Sequence, residues 1–577
     1  MGKPLGKTTV FLSGNEAIAR GAYESGIKVA ASYPGTPASE ILEHLALFDE
    51  VDAQWSVNEK VAFEVALSSS IAGVRSIYAS KHVGVNVAMD ALMTSAYTGV
   101  GAGFVIVSAD DPGIHSSQNE QDNRLIAKVA KIPLLEPASP AEAKEFIKEA
   151  FKISEKFDTP VMLRLTTRVS HTKENLIIQE RKNFPKKNFT IDTAKYVMVP
   201  KNAYRKHALL EKKIERLQKY SEKSSLNKIE LNDRKIGIIT SGVAYLHVKE
   251  MYPKASFLKL GFSFPYPQDL IKEFSKSVKQ LYVIEELEPF LEDELKRLGV
   301  SFKSKHPSFR VGELRPEYIP LIIRGEKKPR ELNKTQKPVM CPGCSHRPVF
   351  WVLRELQLIV TGDIGCYTLG ALPPLSSLHT CLCMGSGVTF LEGFKRNLDN
   401  KVVGVIGDST FVHSGITGLI NMAYNKTKGV LIILDNSTTA MTGSQPHPAT
   451  GITIKGGKTK KLVLEDLCVS CGADTVEVVE PHDIKKLEKL IKKRLDSDTL
   501  SVIIARSPCQ LIESKKSPPP NYSIEKCKKC DICLQIDCPA IKKDVDGFIE
   551  IDKTLCTGCN LCVKVCPFGA LKTGIKK

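Results

Sequence analysis

Eight of the 16 cysteines fall within residues 527–566, in two runs. One reads Cys527-x2-Cys530-x2-Cys533-x4-Cys538-Pro539, the other Cys556-x2-Cys559-x2-Cys562-x3-Cys566-Pro567. Two-residue gaps let three thiolates from one loop converge on a cubane, and where such runs are doubled the fourth cysteine of each ligates the other cluster. That rule assigns Cys527, Cys530, Cys533 and Cys566 to one [4Fe-4S] site and Cys538, Cys556, Cys559 and Cys562 to a second. A zinc ribbon with four cysteine ligands is the alternative, but it explains neither the doubled run nor the proline after each fourth cysteine. The first run carries one extra residue before its last cysteine. A scattered set, Cys341-Pro342-Gly343-Cys344 with Cys366 and Cys509, reads equally as a redox dithiol, a zinc knuckle, buried thiols or a third cluster. Cys381, Cys383, Cys468 and Cys471 are assigned by default as buried structural thiols.

A second chemical stretch runs from Val402 to Thr438. The apolar run Val402, Val403, Val405, Ile406 ends at Gly407-Asp408-Ser409; a helix-like segment follows; Val430 to Leu434 then ends at Asp435-Asn436-Ser437-Thr438. This is strand, helix, strand, with polar residues at the carboxyl ends, where open α/β sheets bind ligands. The oxygens of Asp408 and Asn436 suit Mg2+, which can clamp a diphosphate. Gly407 lets the backbone approach phosphates, and the following helix N-terminus favours negative charge. Any single Gly-Asp or Asp-Asn pair would suit a plain βαβ unit. The whole array resembles the thiamine diphosphate (ThDP) motif of Gly-Asp-Gly, about 26 residues and Asn: here 26 residues separate Ser409 from Asn436. Ser409 replaces the second glycine, and Asp435 precedes Asn436. The resemblance makes the Thr438 backbone carbonyl the third metal ligand.

The elements that must hold these groups in place are α/β throughout. A chain of 577 residues is too long for one core, and about three to five domains are expected. Residues 1–180 form the first, with a strand at Val10–Leu12, a helix from Asn15 to Ser25 and a strand at Val29–Ala31. Tyr33 to Glu40 turns into a helix that Thr36 or Ser39 is placed to cap, and Asn58-Glu59 opens another. Gly99, Gly101 and Gly103 make a helix-to-strand turn, and 108–124 is a dense polar loop with the character of a substrate lid. Residues 181–232 are a basic linker, helical from Lys206 to Tyr220; 233–330 are a small α/β domain without a catalytic constellation; 338–512 carry the strand-end motif; 513–524 are an extended Pro-rich linker; 525–577 are the cysteine-rich tail.

Taken together, a ThDP domain and a two-cluster tail resemble the 2-oxoacid:ferredoxin oxidoreductases. The stretches SGNEAIARGA, YPGTPASEI, NEKVAFEVALSSSIAGVR, SSQNEQDNR, CPGC-x-HR, GDIGCYTLG, GDSTFVHSGI and LDNSTTAMTG, running from residue 13 to the tail, resemble the alpha subunits of the indolepyruvate:ferredoxin branch. The irregular first cysteine run fits the same subunits. The resemblance implies a multidomain ThDP fold, with a pyrimidine-binding domain at 1–180, a transketolase C-terminal-like domain at 233–330 and a diphosphate-binding domain at 338–512. ThDP would lie between the first and last of these, across a dimer interface. Glu59 matches the glutamate that hydrogen-bonds the aminopyrimidine; read alone, it is a helix N-terminal acid favoured by the dipole. Thr36 matches a residue near the substrate carboxylate, and Met384-Gly385-Ser386 a segment beside the cofactor. The implied reaction is oxidative decarboxylation of an arylpyruvate with CoA to aryl-acetyl-CoA, CO2 and reduced ferredoxin. The implied partners are ferredoxin and a smaller beta subunit, in a heterodimer.

Composition narrows the alternatives. Residues 181–235 hold 16 Lys and Arg against 6 Asp and Glu, a local +10 out of a net +17. Without interleaved aromatics or a nucleic-acid module this reads as a solvated helical surface, not a nucleic-acid site. No apolar run approaches the ~20 residues of a membrane span, and the N-terminal residues lack a signal-peptide core, so the chain is expected in the cytoplasm. A non-oxidative ThDP decarboxylase or synthase is one competing reading, though it needs no electron exit. An electron-transfer subunit with an inactive ThDP fold is the other.

Overall fold

The computed structural model describes residues 8–330, 338–398, 401–513 and 516–574. The chain divides into two compact units, Met1–Leu332 and Asn333–Lys577.

The first unit is built on a seven-stranded sheet. Its strands are β1 (Val29–Ser32), β2 (Asp52–Trp55), β3 (Ser76–Lys81), β4 (Phe104–Asp110), β5 (Leu134–Leu135), β6 (Val161–Thr166) and β7 (Phe262–Phe264), in the order β7-β5-β6-β4-β3-β1-β2. All neighbours are parallel except β7, which runs antiparallel to β5. β3, β4 and β6 are buried along their whole length, as expected of strands covered by helices on both faces. The strand expected at Val10–Leu12 forms as Thr9–Ser13, but it pairs with Lys173–Ile177 outside this sheet. The helix after it, Gly14–Glu24, starts at a capping box: Ser13 Oγ accepts from Glu16 N at 3.2 Å, and Ser13 N donates to Glu16 Oε2 at 2.6 Å. Neither Thr36 nor Ser39 caps the next helix, Ser39–Leu45. Ala38 is at the N-cap, and Ser39 Oγ accepts from Gly35 N at 2.9 Å instead, pinning the preceding turn.

The basic segment is mostly exposed, as expected of a solvated surface, but it is docked on the body of the unit. Its helix runs from Pro200 to Ser221, longer than expected, with Pro200 in the first turn and Leu210 and Leu217 buried. Cations on and before it are anchored to the body: Lys195 Nζ bonds Asp158 Oδ1 (2.9 Å) and the Val100 carbonyl (2.8 Å), and Lys213 Nζ the Asp158 carbonyl (2.5 Å). Beyond it, Lys228–Glu230, inside the expected linker, forms the edge of a four-stranded sheet ordered Gln280–Val283, Asp233–Ser241, Ala255–Leu260, Lys228–Glu230. The following β7 crosses to the large sheet, and Leu258 and Phe274 share one core with Phe104 and Leu134. Packing therefore does not break near residue 233.

Where the two sheets meet lies a buried charge network invisible in the sequence. Arg124 donates Nε to both Asp122 oxygens (2.9 and 3.0 Å), Nη1 to Glu285 Oε2 (2.7 Å) and Nη2 to the Glu286 and Glu288 carbonyls (2.6 and 3.0 Å). Arg164 bonds Asp110 at 2.7 Å and Glu136 at 2.9 Å. Burial lifts the Glu286 carboxyl to about 7.

The second unit carries a five-stranded, wholly parallel sheet: β8 (Ile359–Thr361), β9 (Val402–Gly407), β10 (Gly429–Asp435), β11 (Thr475–Val479) and β12 (Leu500–Arg506), in the order β8-β9-β10-β12-β11. The tail folds as two small antiparallel pairs, Asn521–Tyr522 with Leu571–Lys572 and Ile541–Lys543 with Ile549–Ile551. It does not hang free: Ile536, Leu561 and Leu571 join Val349, Leu353 and Leu487 in one core. Nor is the described part of 513–524 a free spacer. Ser517 N donates to the Thr557 carbonyl at 3.0 Å, and the segment packs over Gly558 and Gly574. No helix among the described residues is long and apolar enough to cross a membrane.

Candidate active site and cysteine clusters

In the second unit the register pairs Gly407 with Leu434, so Asp408 and Asn436 leave adjacent strands on the same edge of the sheet. Asp408 is buried. Its Oδ1 accepts from Ser409 N at 2.8 Å, and its Oδ2 accepts from Ser437 N at 2.9 Å and lies 3.2 Å from His447 Nε2. Burial raises this carboxyl above its ordinary value, and His447 works against that shift. Asn436 Nδ2 stands 3.3 Å from His346 Nε2, and its Oδ1 accepts from Thr438 N at 3.3 Å. Asp435, the extra acid, is not free: Arg506 Nε donates to its Oδ2 at 2.6 Å, and Glu465 holds the other face of the guanidinium. Ser409, which stands where a glycine was expected, uses its hydroxyl to accept from Thr439 Oγ1 at 3.0 Å.

The helix after Gly407 begins as Asp408–Thr410, opens into a π turn over Phe411–Gly415 and continues as Ile416–Tyr424. Such π turns recur at functional sites. Gly407 has an observed reason beyond phosphate access: a Cβ there would stand 2.7 Å from the Tyr367 ring. The Met384-Gly385-Ser386 turn is held by Asp363, which sequence reasoning passed over. Its carboxylate accepts from Gly385 N (3.0 Å), Gly387 N (2.7 Å) and Ile364 N (2.8 Å), and burial lifts it to about 7. His346, His447 and Asp363 all flank motifs already in view, but nothing in their spacing pointed to Asp408 or Asn436. The donor set of one carboxylate, one amide oxygen and the Thr438 backbone suits a hard cation and a diphosphate.

In the first unit, Thr36 and Glu59 leave the carboxyl ends of the adjacent parallel strands β1 and β2. Asn58 Oδ1 accepts from Val61 N at 2.9 Å and starts the helix Glu59–Ile71. Glu59 is 6% exposed and lies against Gly84, where a Cβ would come within 2.7 Å of Glu59 Oε1. The Thr36 carbonyl accepts from Ser116 Oγ at 3.4 Å, and Ser116 also accepts from Lys81 Nζ through its carbonyl at 2.5 Å. The polar loop expected as a lid thus touches the Thr36 turn.

The tail cysteines ring two cavities. Cys538, Cys556, Cys559 and Cys562 line one, together with Cys344 and Arg347. Cys527, Cys530, Cys533 and Cys566 line the other. Among the described residues no three His, Cys, Asp or Glu side chains converge to hold a single metal ion. Eight thiols ringing two cavities fit the doubled cluster chemistry read from their spacing. Of the scattered set, Cys344 N donates to the Cys341 carbonyl at 3.1 Å. Burial, then the neighbouring thiolates of Cys344, Cys509 and Cys341, push the Cys366 thiol up to about 12; burial takes Cys344 to about 11. Cys509 N donates to the Asn436 carbonyl at 3.0 Å, which ties this set to the strand-end motif. Of the four thiols expected to be buried, Cys468 and Cys471 are, but Cys383 is exposed and Cys381 half-buried, because they sit on the turn ahead of the helix Ser386–Lys395.

Family comparisons agree with this division of labour. A family described as pyruvate flavodoxin/ferredoxin oxidoreductase, thiamine diphosphate-binding, matches residues 20–230. One described as thiamine pyrophosphate enzyme, C-terminal TPP binding domain, matches 363–505. A 4Fe-4S binding domain matches 549–572. The chain therefore has ThDP-binding and iron–sulfur domains. Among solved structures, a 2-oxoglutarate:ferredoxin oxidoreductase from Magnetococcus marinus overlaps 55% of this chain and 65% of its own at TM-score 0.47 and 16% identity, a likeness too remote to argue from. The indolepyruvate oxidoreductase subunit IorA of Archaeoglobus fulgidus is 39% identical, over 98% of this chain and 97% of its own. That of Pyrococcus horikoshii is 40% identical, over 98% and 96%. With such relatives aligned from end to end, the chain belongs to the IorA family of indolepyruvate oxidoreductase subunits.

Proposed function

We propose that the chain is the larger subunit of a cytoplasmic enzyme that oxidatively decarboxylates arylpyruvates, indolepyruvate among them. With CoA and oxidised ferredoxin it yields an aryl-acetyl-CoA, CO2 and two electrons on reduced ferredoxin. One observation carries this reading. A single compact unit, with one shared core, holds both the Asp408–Asn436 strand ends and two four-cysteine cavities. A site that releases electrons and a route that removes them are built as one body. The aryl substrate and the smaller partner subunit are supported by the names and subunit designation of the relatives.

ThDP, when bound, supplies a carbon nucleophile and an electron sink for loss of CO2. The residues of this chain take the remaining roles. Asp408, Asn436 and the Thr438 carbonyl would hold Mg2+, which would supply positive charge for the diphosphate. Asp363 keeps Met384-Gly385-Ser386 in place beside the cofactor. Glu59 hydrogen-bonds the aminopyrimidine, and its burial against Gly84 keeps that carboxyl out of water. Thr36, on the neighbouring strand end, orients the substrate carboxylate. Cys341, Cys344, Cys366 and Cys509 would hold a third [4Fe-4S] cluster, and the Cys509–Asn436 hydrogen bond ties that set to the strand-end motif.

The test is anaerobic. The complex of this chain with its partner subunit is given indolepyruvate, phenylpyruvate, hydroxyphenylpyruvate, pyruvate and 2-oxoglutarate in turn, and ferredoxin reduction is followed with and without CoA. Reduction that requires CoA and favours the aryl substrates is expected. Equal or faster reduction with pyruvate or 2-oxoglutarate would overturn the substrate assignment.

A further inference from the structure

The Cys341–Cys344 turn lies directly on the tail. Gly343 has φ +71°, and a Cβ there would stand 2.1 Å from Thr557 Oγ1, so no side chain fits between the turn and the Cys556–Cys559 loop. Behind the turn, Arg347 is buried at 2% exposure. Its Nη1 donates to two tail carbonyls, those of Ile536 at 2.7 Å and Asp537, and its Nη2 to those of Met340 at 2.6 Å and Cys341 at 3.0 Å. The same side chain lines the cavity ringed by Cys538, Cys556, Cys559 and Cys562.

Two properties of Arg347 are left over from this packing. Among the described residues it pairs with no carboxylate, and its Nε has no hydrogen-bond partner. A buried cation satisfied only by neutral carbonyls is costly unless a counter-charge stands nearby. A cubane held by four thiolates is net negative, and its sulfurs accept N–H hydrogen bonds that raise its potential. Among the described residues the other tail cavity has no such neighbour: its bordering cations, Lys528 and Lys529, are exposed and screened by water.

We propose that Arg347 is the counter-cation of the Cys538, Cys556, Cys559 and Cys562 site. It is a positioning and potential-setting residue that makes this site the more readily reduced of the tail's two, so that it receives electrons from the Cys341–Cys344 side. Reduction adds one electron to a site already facing an uncompensated positive charge, which stabilises the reduced form. The proposal rests on the reading that the tail cysteines hold [4Fe-4S] clusters, and the two can fail separately.

The experiment is an electron paramagnetic resonance redox titration of the anaerobically purified complex, in wild type, Arg347→Gln and Arg347→Lys, with iron content measured on each. Arg347→Gln removes the charge and keeps an amide donor; Arg347→Lys keeps the charge but not the four-carbonyl clamp. In Arg347→Gln one tail signal is expected to become at least tenfold harder to reduce, a 59 mV drop for one electron, with the second signal unmoved and Arg347→Lys shifted less. Full iron with both potentials at their wild-type values in Arg347→Gln would overturn the proposal. So would equal loss of cluster iron from both variants, since Arg347 would then be a mechanical clamp only. Absence of [4Fe-4S] signals from the wild-type complex would instead overturn the cluster reading itself.

Discussion

Arg124→Met removes the cation at the centre of the buried network that joins the two sheets of the first unit. The guanidinium is 1% exposed, and its partners Asp122 and Glu285 are fully buried. Breaking a buried pair by deleting one partner costs roughly 3–5 kcal/mol, because a carboxylate stays behind without its cation. The unit spans Met1–Leu332, and at ~2.1 cal/mol/K per residue its unfolding entropy is about 0.7 kcal/mol/K. The loss therefore lowers its melting temperature by about 4–7 °C. The sign of the pH dependence follows from Asp122. Burial alone would raise this carboxyl, but Arg124 and Arg164 outweigh it and bring it to about 2. A depressed acid adds stability above its unfolded value near ~3.9 and loses it as pH falls through the folded one. The gap between wild type and variant should thus be widest near neutral pH, narrow as acid protonates the buried carboxylates that Arg124 leaves behind, and close as pH falls towards about 2. Calorimetry of the complex across that range checks both statements, and Glu285→Gln added to Arg124→Met should recover part of the loss. A melting temperature within about 1 °C of wild type at neutral pH, or a gap that does not change with pH, would refute the reasoning.

Other substitutions separate the roles assigned above. Glu59→Gln keeps the size and burial of the side chain but removes its acid–base capacity; turnover should fall about 10²–10⁴-fold while ThDP stays bound, as single-turnover kinetics and cofactor content will show. Asp408→Ala should weaken ThDP and Mg2+ retention by about tenfold to 100-fold, from loss of interactions to a charged group worth roughly 1.5–3 kcal/mol, read as cofactor remaining after gel filtration. Cys556→Ser should abolish one tail cluster signal and spare the other, and the signal it removes should be the one that Arg347→Gln moves. If Cys556→Ser removed neither signal, the grouping of Cys556 with Cys538, Cys559 and Cys562 would be wrong.

What could be read in advance was local. The two cysteine groups that line the tail cavities are legible because three thiols of each come from one short loop. Asp408 and Asn436 are legible because each ends an apolar strand, and parallel strands share an edge. Glu59 could be singled out only through the stretch resembling a known family, since an acid at a helix N-terminus is otherwise unremarked. The groups that escaped act across distance in sequence. Asp363 holds a turn 22 residues on, Arg347 reaches carbonyls 189 and 190 residues away, and Arg124 meets Glu285 across 161. The basic segment was legible in its exposure and not in its docking. The surplus of Lys and Arg in 181–235 is largely exposed, as a solvated face should be, but Leu210 and Leu217 dock that helix and Lys195 and Lys213 are anchored at Asp158.

The central claim is that this ThDP site cannot complete its reaction without an exit for electrons, and product analysis tests it most directly. The anaerobic complex is supplied with indolepyruvate and CoA, and CO2, thioester and aldehyde are quantified with oxidised ferredoxin present and withheld. One indole-acetyl-CoA for every two ferredoxins reduced, and no sustained CO2 release without the acceptor, is the predicted result. Steady release of the aldehyde at an undiminished rate with ferredoxin withheld would contradict it.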